Sequence, residues 1–385
     1  MKENNEAPLA GLLVVDLTRA VAGPFATMLL GDMGARVIKV EEEGTGDETR
    51  QWGPPFVEGI STYFLSMNRN KESVALNLKR EPGRSLLAAM AAKADVVIEN
   101  FRPGVMERLG FGYEALSGRN PRLVYASISG FGQTGPDRLR PGYDLVLQAM
   151  SGLMDVSRAE GEAPVKVAFP VADILSGLFA GQAIMTALYS RERTGKGRYI
   201  DVSLMEGMLC AMSSLAETFL ATGKQPQRVG TAQANIVPYQ MFHCADGALV
   251  CGAPNERLWQ RFCSAIGRPE WLLEERYRGN GARTSRRKEL VAAIEDVLRG
   301  GTVAEWLARF EENQIPCGPV LDMEHALGHR QVQARGTIVE SPHAKLGTVR
   351  SVGNPMRMSG FTPAYTAAPD LGADTERLRK EFLRS

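Results

Sequence analysis

The sequence lacks an excess of charge of either sign. Its 385 residues include 45 Lys and Arg against 44 Asp and Glu, which gives a formal net charge of +1. A balanced surface produces no field that would attract a polyanion, so we do not expect nucleic acid as a partner. A few basic residues around a small phosphorylated ligand remain compatible with this balance.

Cysteine is scarce, and neither a targeting segment nor a long apolar run is evident. The 5 cysteines form no CxxC pair, and an odd, scattered set is typical of reduced thiols in a reducing compartment. The first residues, MKENNEAPLAG, have neither the apolar run of a secretory signal nor the Arg-rich character of a transit peptide. No run reaches about 18 uninterrupted apolar residues. We therefore expect a cytoplasmic protein without a membrane partner.

The familiar cofactor and nucleophile motifs are also missing. There is no GxGxxG, no GxxxxGK[ST] and no GxSxG, so the sequence predicts neither a dinucleotide fingerprint nor a P-loop. His325 and His329 have i,i+4 spacing, but no third ligand is evident nearby, and a solvated helix face is favoured over a metal site. We expect no metal and no tightly bound cofactor.

Apolar runs and helical patterns alternate through the first half of the chain. Strands are predicted over residues 12–17, 36–40, 95–99, 123–129 and 199–202. Helices are predicted from Pro24, over 83–93, after Asp173 and over 204–220. Strands that alternate with helices predict an α/β fold with a doubly wound, mostly parallel sheet.

The pattern changes near residue 224. Asp246 and Gly247 separate two short apolar runs, which is a strong hairpin signal. Helical patterns follow over 256–266, 288–298 and 303–313. These features predict a smaller α+β domain over residues 224–327, followed by strand-and-turn sequence and a charged helix over 375–383.

Asp173 is the single charged residue in the stretch AFPVADILSGLFAGQAIMTALY. An Asp placed just before an apolar helix is an ordinary N-cap. A carboxylate at a helix N-terminus among small residues is also oriented, partly desolvated and accessible to a ligand. The spacing leaves both interpretations open.

Three basic residues, Lys79, Arg102 and Arg108, follow strand-like segments. Open α/β sheets bind ligands at such positions, and cations there can bind phosphates. Taken separately, however, each of the three is more often an ordinary solvated surface charge.

A series of segments spread along the chain resembles the class III (family III, CaiB/BaiF-type) CoA-transferases. They include LLVVDLTRAVAGPFATMLLGDMGARVIKVE, NRNKESVALNLK, ADVVIENFRPG, GYDLVLQAMSGLM, VADILSG, RTGKGRYIDVSLME, QIPCGPV and LGADTERL. Each motif alone is modest, but this many in the same order, from near residue 8 to near residue 380, is specific.

The resemblance implies a Rossmann-like large domain of residues 1–223 and 328–385, with domain 224–327 inserted, and two chains interlocked as a homodimer. It implies an acyl-CoA and a carboxylic acid as substrates, and Asp173 as the catalytic carboxylate. The implied contacts with coenzyme A, the last of them beside the thioester, are Arg19, Val21, Ala22, Leu76, Leu78, Lys79, Asn100, Phe101, Arg102, Arg108 and Tyr143.

Some segments are more similar to one branch of the family, that of succinyl-CoA:glutarate CoA-transferase. They are TRQWGPPFV, STYFLSMNRNK and GTAQANIVPYQMF. Glu42 stands where the formyl-CoA transferase branch has an arginine, and the glycine-rich loop of that branch is not recognisable. The resemblance therefore implies succinyl-CoA as donor and a short dicarboxylate, such as glutarate or itaconate, as acceptor. Arg50 and Arg69 lie in the branch segments, but a role in folding their loop is favoured over binding of the second carboxylate.

Two alternatives remain. A 2-methylacyl-CoA racemase of the same fold needs a base and an acid around the α-carbon and typically has histidine where this chain has Tyr143. A non-catalytic CoA-binding protein is the other alternative, and the retention of Asp173 among small residues argues against it.

Overall fold

The computed structural model describes residues 7–383 of the chain. The strands in this range are β1 (Leu13–Asp16), β2 (Arg36–Glu42), β3 (Phe56–Val57), β4 (Ile60–Ser61), β5 (Lys71–Leu76), β6 (Val96–Glu99), β7 (Val124–Ser129), β8 (Arg198–Ser203), β9 (Tyr239–His243), β10 (Ala248–Gly252), β11 (Cys317–Pro319), β12 (Ile338–His343) and β13 (Gly347–Val352). The helices are α1 (Ala22–Asp32), α2 (Thr62–Met67), α3 (Glu81–Lys93), α4 (Val105–Leu109), α5 (Tyr113–Ser117), α6 (Asp144–Met150), α7 (Leu153–Val156), α8 (Val171–Thr194), α9 (Leu204–Ala211), α10 (Ser213–Thr222), α11 (Glu256–Ala265), α12 (Gly279–Ser285), α13 (Arg287–Leu298), α14 (Val303–Glu312), α15 (Met323–Gly328), α16 (Arg330–Ala334) and α17 (Thr375–Leu383).

A six-stranded parallel sheet, in the order β5-β2-β1-β6-β7-β8, is the largest sheet of residues 7–383. From β1 the chain forms β2 and then β5 on one side of the sheet. It then crosses to the other side of β1, where it forms β6, β7 and β8. This reversal brings the loops that follow β1 and β6 together at the carboxyl edge of the sheet, which is where open α/β sheets bind ligands. The α/β class predicted from the sequence is confirmed.

The residues of the central strands are buried almost without interruption, as is typical of parallel strands. Val14 and Val15 of β1 and Val96 and Val97 of β6 are all at most 1% exposed, as expected for strands whose two faces are both covered. One face packs against the apolar side chains of α3 and α17. The predicted strands at 36–40, 95–99 and 123–129 are confirmed to within a residue or two.

The described residues divide into two compact units. The large unit comprises the residues up to Ser151, Lys166–Ser213 and the residues from Arg330 onward, and the small unit comprises Gly152–Val165 and Ser214–His329. The small unit thus includes residues that a boundary at 224 assigns to the large domain. Arg228 explains part of the difference, because its guanidinium binds the Asp155 carboxylate at 2.8 to 3.1 Å.

The small unit contains the hairpin that its sequence predicts. Strands β9 and β10 pair antiparallel around Asp246 and Gly247, and β11 pairs with the other edge of β10. Its core is lined by α11, α13 and α14, which bury Phe262, Ile294 and Phe310.

Helix α8 is the long apolar helix of the large unit. It begins at Val171 rather than after Asp173, so the sequence-based helix start was placed too late. Within residues 7–383 it is the single straight helix with the length and composition of a membrane span. It packs along α1, α9, β7 and β8. The single helix predicted over 204–220 is wrong, because Met212 leaves the helical conformation and separates α9 from α10.

Candidate active site

A cavity of about 490 Å³ lies at the carboxyl edge of the sheet in the large unit, and we call it the main cavity because it contains Asp173. Loops after β1, β6 and β7 and the start of α8 line it. Its lining includes the predicted residues Arg19, Val21, Ala22, Asn100, Phe101, Arg102, Tyr143 and Asp173. Residues from four separate parts of the sequence therefore meet at one place, as the strand order requires.

The loops after β1 and β6 are joined directly. The side chain of Asn100 accepts a hydrogen bond from the Arg19 backbone N–H at 2.9 Å and donates one to the Arg19 carbonyl at 2.8 Å. The Arg19 guanidinium lies 5.0 Å from the centroid of the Phe101 ring, within cation–π range. These contacts hold three predicted site residues in a fixed arrangement.

A buried ionic network fixes the loop after β1. Asp47 accepts hydrogen bonds from the Lys39 ammonium at 2.7 Å and from the Ala20 backbone N–H at 3.3 Å. Lys39 also donates to the Thr18 carbonyl at 3.0 Å. Ala20 has a φ of +63°, a conformation that is uncommon for a residue with a Cβ. The network holds the loop in this conformation beside Arg19.

A side cavity of about 240 Å³ adjoins the main cavity. Arg19 and Phe101 line both cavities, so they stand where the two meet. The side cavity also contains the predicted residues Leu76, Leu78 and Lys79, together with Glu42. Arg108 lies on α4 and lines neither of these two cavities.

Asp173 lies in the first turn of α8, partly exposed to the main cavity. Its side chain makes no hydrogen bond within residues 7–383, and the N-cap position belongs to Pro170. The N-cap interpretation of Asp173 is therefore wrong. Gly177, one turn later, allows α8 to approach α1 closely, because a Cβ there would lie 2.5 Å from the Ala22 carbonyl oxygen.

The environment of Asp173 disfavours its charged form. Burial, together with repulsion from Asp144, raises the pKa of Asp173 from 3.8 to about 7. The dipole of α8 favours a negative charge at its N-terminus, so burial and the second carboxylate outweigh the helix. Such a perturbed carboxylate in a cleft is typical of a functional site.

Asp144 holds the start of α8 from a neighbouring helix. Its Oδ1 accepts a hydrogen bond from the Ala172 backbone N–H at 2.8 Å, and its Oδ2 accepts one from Gln148 Nε2 at 2.7 Å. Gln148 Oε1 in turn accepts the Val167 backbone N–H at 2.9 Å. Asp144 and Gln148, one turn apart on α6, thus fix the segment that leads into Asp173.

Two glycines bring α6 to this position. The backbones of Gly130 and Gly142 are so close that a Cβ on Gly142 would lie 2.6 Å from the Gly130 Cα. The two ends of the loop after β7 therefore lie in contact, which brings Tyr143 and Asp144 back to the carboxyl edge of the sheet.

Several residues that line the main cavity were not predicted from the sequence. These are Glu48, Trp52, Tyr63, Arg138, Arg140, Asp144 and Lys166. Burial together with the negative charges of Asp173 and Asp144 raises the pKa of Tyr63. Trp52 and Tyr63 contact each other with ring centroids 5.0 Å apart. Trp52 and Tyr63 could have been predicted from the sequence, because they lie in QWGPP and STYF, two of the segments that resemble one branch of the family.

The described residues contain no group of three or more His, Cys, Asp or Glu side chains arranged to hold a metal ion. The ring of His325 is hydrogen-bonded to Asp322, its own N-cap. Arg50 and Arg69 are also engaged in the fold, since Arg50 binds Glu41 at 2.7 and 2.8 Å and Arg69 binds Asp32 at 2.6 and 2.9 Å.

Comparison with known proteins agrees with this geometry. Residues 9–375 match the sequence profile described as CoA-transferase family III. The chain is 43% identical over 378 residues to a mouse protein named succinyl-CoA:glutarate CoA-transferase, covering 98% of this chain and 87% of the relative. It is also 43% identical over 380 residues to an Acetobacter aceti protein named acetyl-CoA:oxalate CoA-transferase, covering 98% and 96%.

A solved structure shows the same fold. The crystal structure of a CaiB/BaiF family protein from Brucella suis superimposes with a TM-score of 0.86 at 38% sequence identity, covering 97% of this chain and 99% of that one. The match extends over both units, and the family profile covers nearly the whole sequence. The chain therefore belongs to CoA-transferase family III and is a CoA-transferase that acts on CoA thioesters.

Proposed function

We propose that this enzyme transfers coenzyme A from an acyl-CoA donor to a carboxylic acid, with the Asp173 carboxylate as nucleophile. The observation that carries the proposal is a partly buried carboxylate without a hydrogen-bond partner in the described residues, at the cavity where the loops after β1 and β6 meet. An aspartate in this state is oriented for attack and poorly solvated.

The chemistry begins with attack of an Asp173 oxygen on the donor thioester carbon. The C–S bond breaks, CoA leaves as a thiolate, and a mixed anhydride remains on Asp173. The thiolate then attacks the aspartyl carbonyl carbon, which forms an aspartyl-CoA thioester and releases the donor acid as a carboxylate. The acceptor carboxylate reverses these steps and leaves as its CoA ester. Because no step requires a proton, the site needs no general acid or base.

The side cavity is the proposed place for the adenosine end of CoA, with Leu76, Leu78 and Lys79 as contacts. Arg19 and Phe101 line both cavities, and Asn100 holds Arg19 from the main cavity. Arg102 is available for a phosphate, since no ion-pair partner is present among the described residues. Val21 and Ala22 line the path to Asp173, and Tyr143 lies beside the thioester. Arg108 remains a predicted CoA contact outside both cavities.

Succinyl-CoA is the proposed donor, and a short dicarboxylate such as glutarate or itaconate is the proposed acceptor. The relative named succinyl-CoA:glutarate CoA-transferase supports this choice. The equally similar relative named for oxalate makes oxalate a necessary member of any acceptor panel. A racemase would require a base and an acid on both sides of an α-carbon, and Tyr143 at the cavity does not favour it.

Three cations of the main cavity are the proposed partners of a distal carboxylate. Arg138, Arg140 and Lys166 belong to the loop after β7 and the segment before α8. Arg50 and Arg69 are excluded from this role because buried carboxylates already bind them. Replacing Arg138 by Gln should raise KM for glutarate and succinyl-CoA by about tenfold or more, since a hydrogen bond to a charge contributes about 1.5–3 kcal/mol. The Kd of free CoA, which carries no acyl carboxylate, should not change.

An interlocked homodimer in the cytoplasm is also proposed, with the inserted small domain near residues 224–327. The resemblance to the family supports this assembly. Light scattering after size-exclusion chromatography should give twice the mass of 41.9 kDa, and a monomer that retains full activity would contradict the proposal.

The test of function is an endpoint assay by mass spectrometry. Purified enzyme is mixed with succinyl-CoA and one acid at a time from glutarate, itaconate, malate, mesaconate, oxalate, benzylsuccinate and carnitine. Wild type is compared with Asp173→Ala and with Glu81→Ala, which removes a first-turn carboxylate of α3 that lines neither cavity.

A new acyl-CoA formed with one acid by wild type and Glu81→Ala, but not by Asp173→Ala, would support the proposal and identify the acceptor. Equal activity of Asp173→Ala would refute the role of Asp173. If no acid accepted CoA while 2-methylacyl-CoA exchanged its α-proton, the racemase would be the correct alternative. Binding of CoA without either reaction would indicate a non-catalytic protein.

A further inference from the structure

The proposed mechanism makes no use of the carboxylate that lies beside Asp173. Asp144 is only 8% exposed, and both of its oxygens accept hydrogen bonds, from Ala172 on α8 and from Gln148 on its own helix. Buried carboxylates usually have a cation as partner, but no ion pair involves Asp144 within residues 7–383. Its negative charge instead acts on another acid, because repulsion from Asp144 adds to burial in raising the pKa of Asp173.

The position of Asp144 replaces a missing helix cap. Helix α8 begins after Pro170, whose side chain cannot accept a hydrogen bond, and the first-turn N–H of Ala172 would otherwise have no partner. Asp144 accepts this N–H from the neighbouring helix α6. Asp173 is consequently not needed as a cap, and its carboxylate remains without a hydrogen bond.

We propose that Asp144 is a positioning residue that fixes the first turn of α8 and whose negative charge favours the neutral, covalently bound forms of Asp173 over its free carboxylate. The inference rests on the function proposed above. Asp173 is negative when free. When it attacks the thioester carbon, the charge leaves with the CoA thiolate, and the anhydride on Asp173 is neutral.

Asp173 also remains neutral through the second step. The thiolate attacks the Asp173 carbonyl carbon, the C–S bond forms, and the bond to the acyl oxygen breaks, so the charge departs with the donor acid. Asp173 is neutral in the aspartyl-CoA thioester as well. A fixed negative charge at Asp144 therefore raises the free energy of the starting carboxylate and leaves both covalent forms largely unaffected.

Other charged and titratable groups face the same cavity, and they contribute to its potential. Those that line it besides Asp144 and Asp173 are Arg19, Glu48, Tyr63, Arg102, Arg138, Arg140, Tyr143 and Lys166. Burial and the repulsion from Asp144 nevertheless raise the pKa of Asp173 to about 7. The nearby acid is thus not cancelled by the surrounding cations.

The hydrogen-bond pattern supplies a variant that separates position from charge. Asp144→Asn retains an oxygen for the Ala172 N–H, but its new amide would face the Gln148 amide, donor against donor. The double variant Asp144→Asn/Gln148→Glu restores a carboxylate that accepts from both the new amide and the Val167 N–H. Net charge and the short hydrogen bonds are then conserved, while the longer contacts of Gln148 Nε2 with the Val167 and Phe169 carbonyls, at 3.4 and 3.5 Å, are lost. The negative charge is transferred from residue 144 to residue 148.

The measurement is the equilibrium between enzyme plus succinyl-CoA and aspartyl-CoA enzyme plus succinate. Intact-protein mass spectrometry after rapid quenching counts the covalent fraction as succinate is varied, and the rate of its formation is recorded against pH. In the double variant we expect the equilibrium to shift about tenfold toward free enzyme, and the apparent pKa of acylation to fall by about one unit, because one unit corresponds to tenfold.

A purely structural role predicts something different. If Asp144 served only as an external cap, the double variant would return both the equilibrium and the pH profile to wild-type values, and the proposal would be overturned. If neither variant folds, the pH dependence of acylation in the wild type tests the proposal. An apparent pKa near 4 would overturn it, because no negative charge would then oppose ionisation of Asp173. Failure of the underlying function is distinguishable, because wild type would then form no adduct at Asp173.

Discussion

Replacing Asp173 by Asn should stabilise the folded protein at neutral and alkaline pH. In the folded chain, burial and the charge of Asp144 raise the pKa of Asp173 from 3.8 to about 7. The folded state therefore binds more protons than the unfolded state between these two values. Stability contributed by protonated Asp173 is complete below about pH 4 and is lost as the pH rises through 7. An asparagine, which does not ionise, avoids this loss.

The size of the effect follows from the size of the shift. A rise of about three pKa units corresponds to at most about 4 kcal/mol, since each unit is worth about 1.4 kcal/mol. Asp173 is partly exposed and the helix dipole favours its charge, so about 2–3 kcal/mol is the expected gain at pH 8. For a chain of 385 residues this corresponds to roughly 2–4 °C in Tm, because the entropy of unfolding scales with length.

The assay is a series of thermal unfolding curves for wild type and Asp173→Asn from pH 4 to pH 8.5, in the absence of CoA. The two curves of Tm against pH should coincide near pH 4, diverge progressively up to about pH 7, and keep a constant separation above that pH. Asp322→Asn is the control with the opposite sign, because the backbone and ring of His325 hold the pKa of this exposed N-cap below its usual value.

A lower Tm for Asp173→Asn at pH 8 would refute the reasoning, because it would mean that the charged carboxylate stabilises the fold. A gain that did not vary with pH would also contradict it. Such a result would assign the effect to packing of the amide rather than to the ionisation of Asp173.

Three further predictions concern the frame around the site. Gly177→Ala should destabilise the protein by about 1–3 kcal/mol and lower activity, because the added Cβ meets the Ala22 carbonyl. The control is Gly181→Ala in the same helix, whose Cβ meets nothing within 4 Å and which should be neutral or stabilising by up to about 1 kcal/mol. Equal losses of stability for the two variants in chemical denaturation would contradict this packing. Asp16→Asn should be most destabilising near pH 7 and less so toward pH 2. Burial alone would raise the pKa of Asp16, but the charges of Lys71 and Lys39 lower it to about 2. A loss of unfolding free energy that is independent of pH in urea would contradict this prediction. Asn100→Asp loses the donor to the Arg19 carbonyl and should weaken CoA binding by about tenfold by calorimetry, whereas unchanged affinity would remove this bridge from the CoA site.

The local patterns of the sequence predicted the elements that build the sheet. Each of the runs at 36–40, 95–99 and 123–129 is apolar enough to be buried on both faces, and each is a strand. The hairpin at Asp246 and Gly247 also followed from residues adjacent in sequence. Such features are predictable because their cause lies within a few residues. Helix ends were less predictable, as the start of α8 at Val171 and the break at Met212 show, because N-caps and breaks depend on contacts outside the segment.

The sequence by itself determined the alternation of strands and helices, the resemblance to the family and the choice of Asp173 as the central carboxylate. Only the tertiary structure decided which groups surround that carboxylate. The Asp144 bond to Ala172, the Asn100 bridge to Arg19 and the binding of Arg69 by Asp32 join residues 28 to 81 positions apart. No local periodicity encodes these pairs, because the order of the strands brings their segments together. The Asp144 and Asn100 contacts lie at the carboxyl edge of the sheet, whereas Arg69 and Asp32 meet at the opposite edge, before β5 and β2.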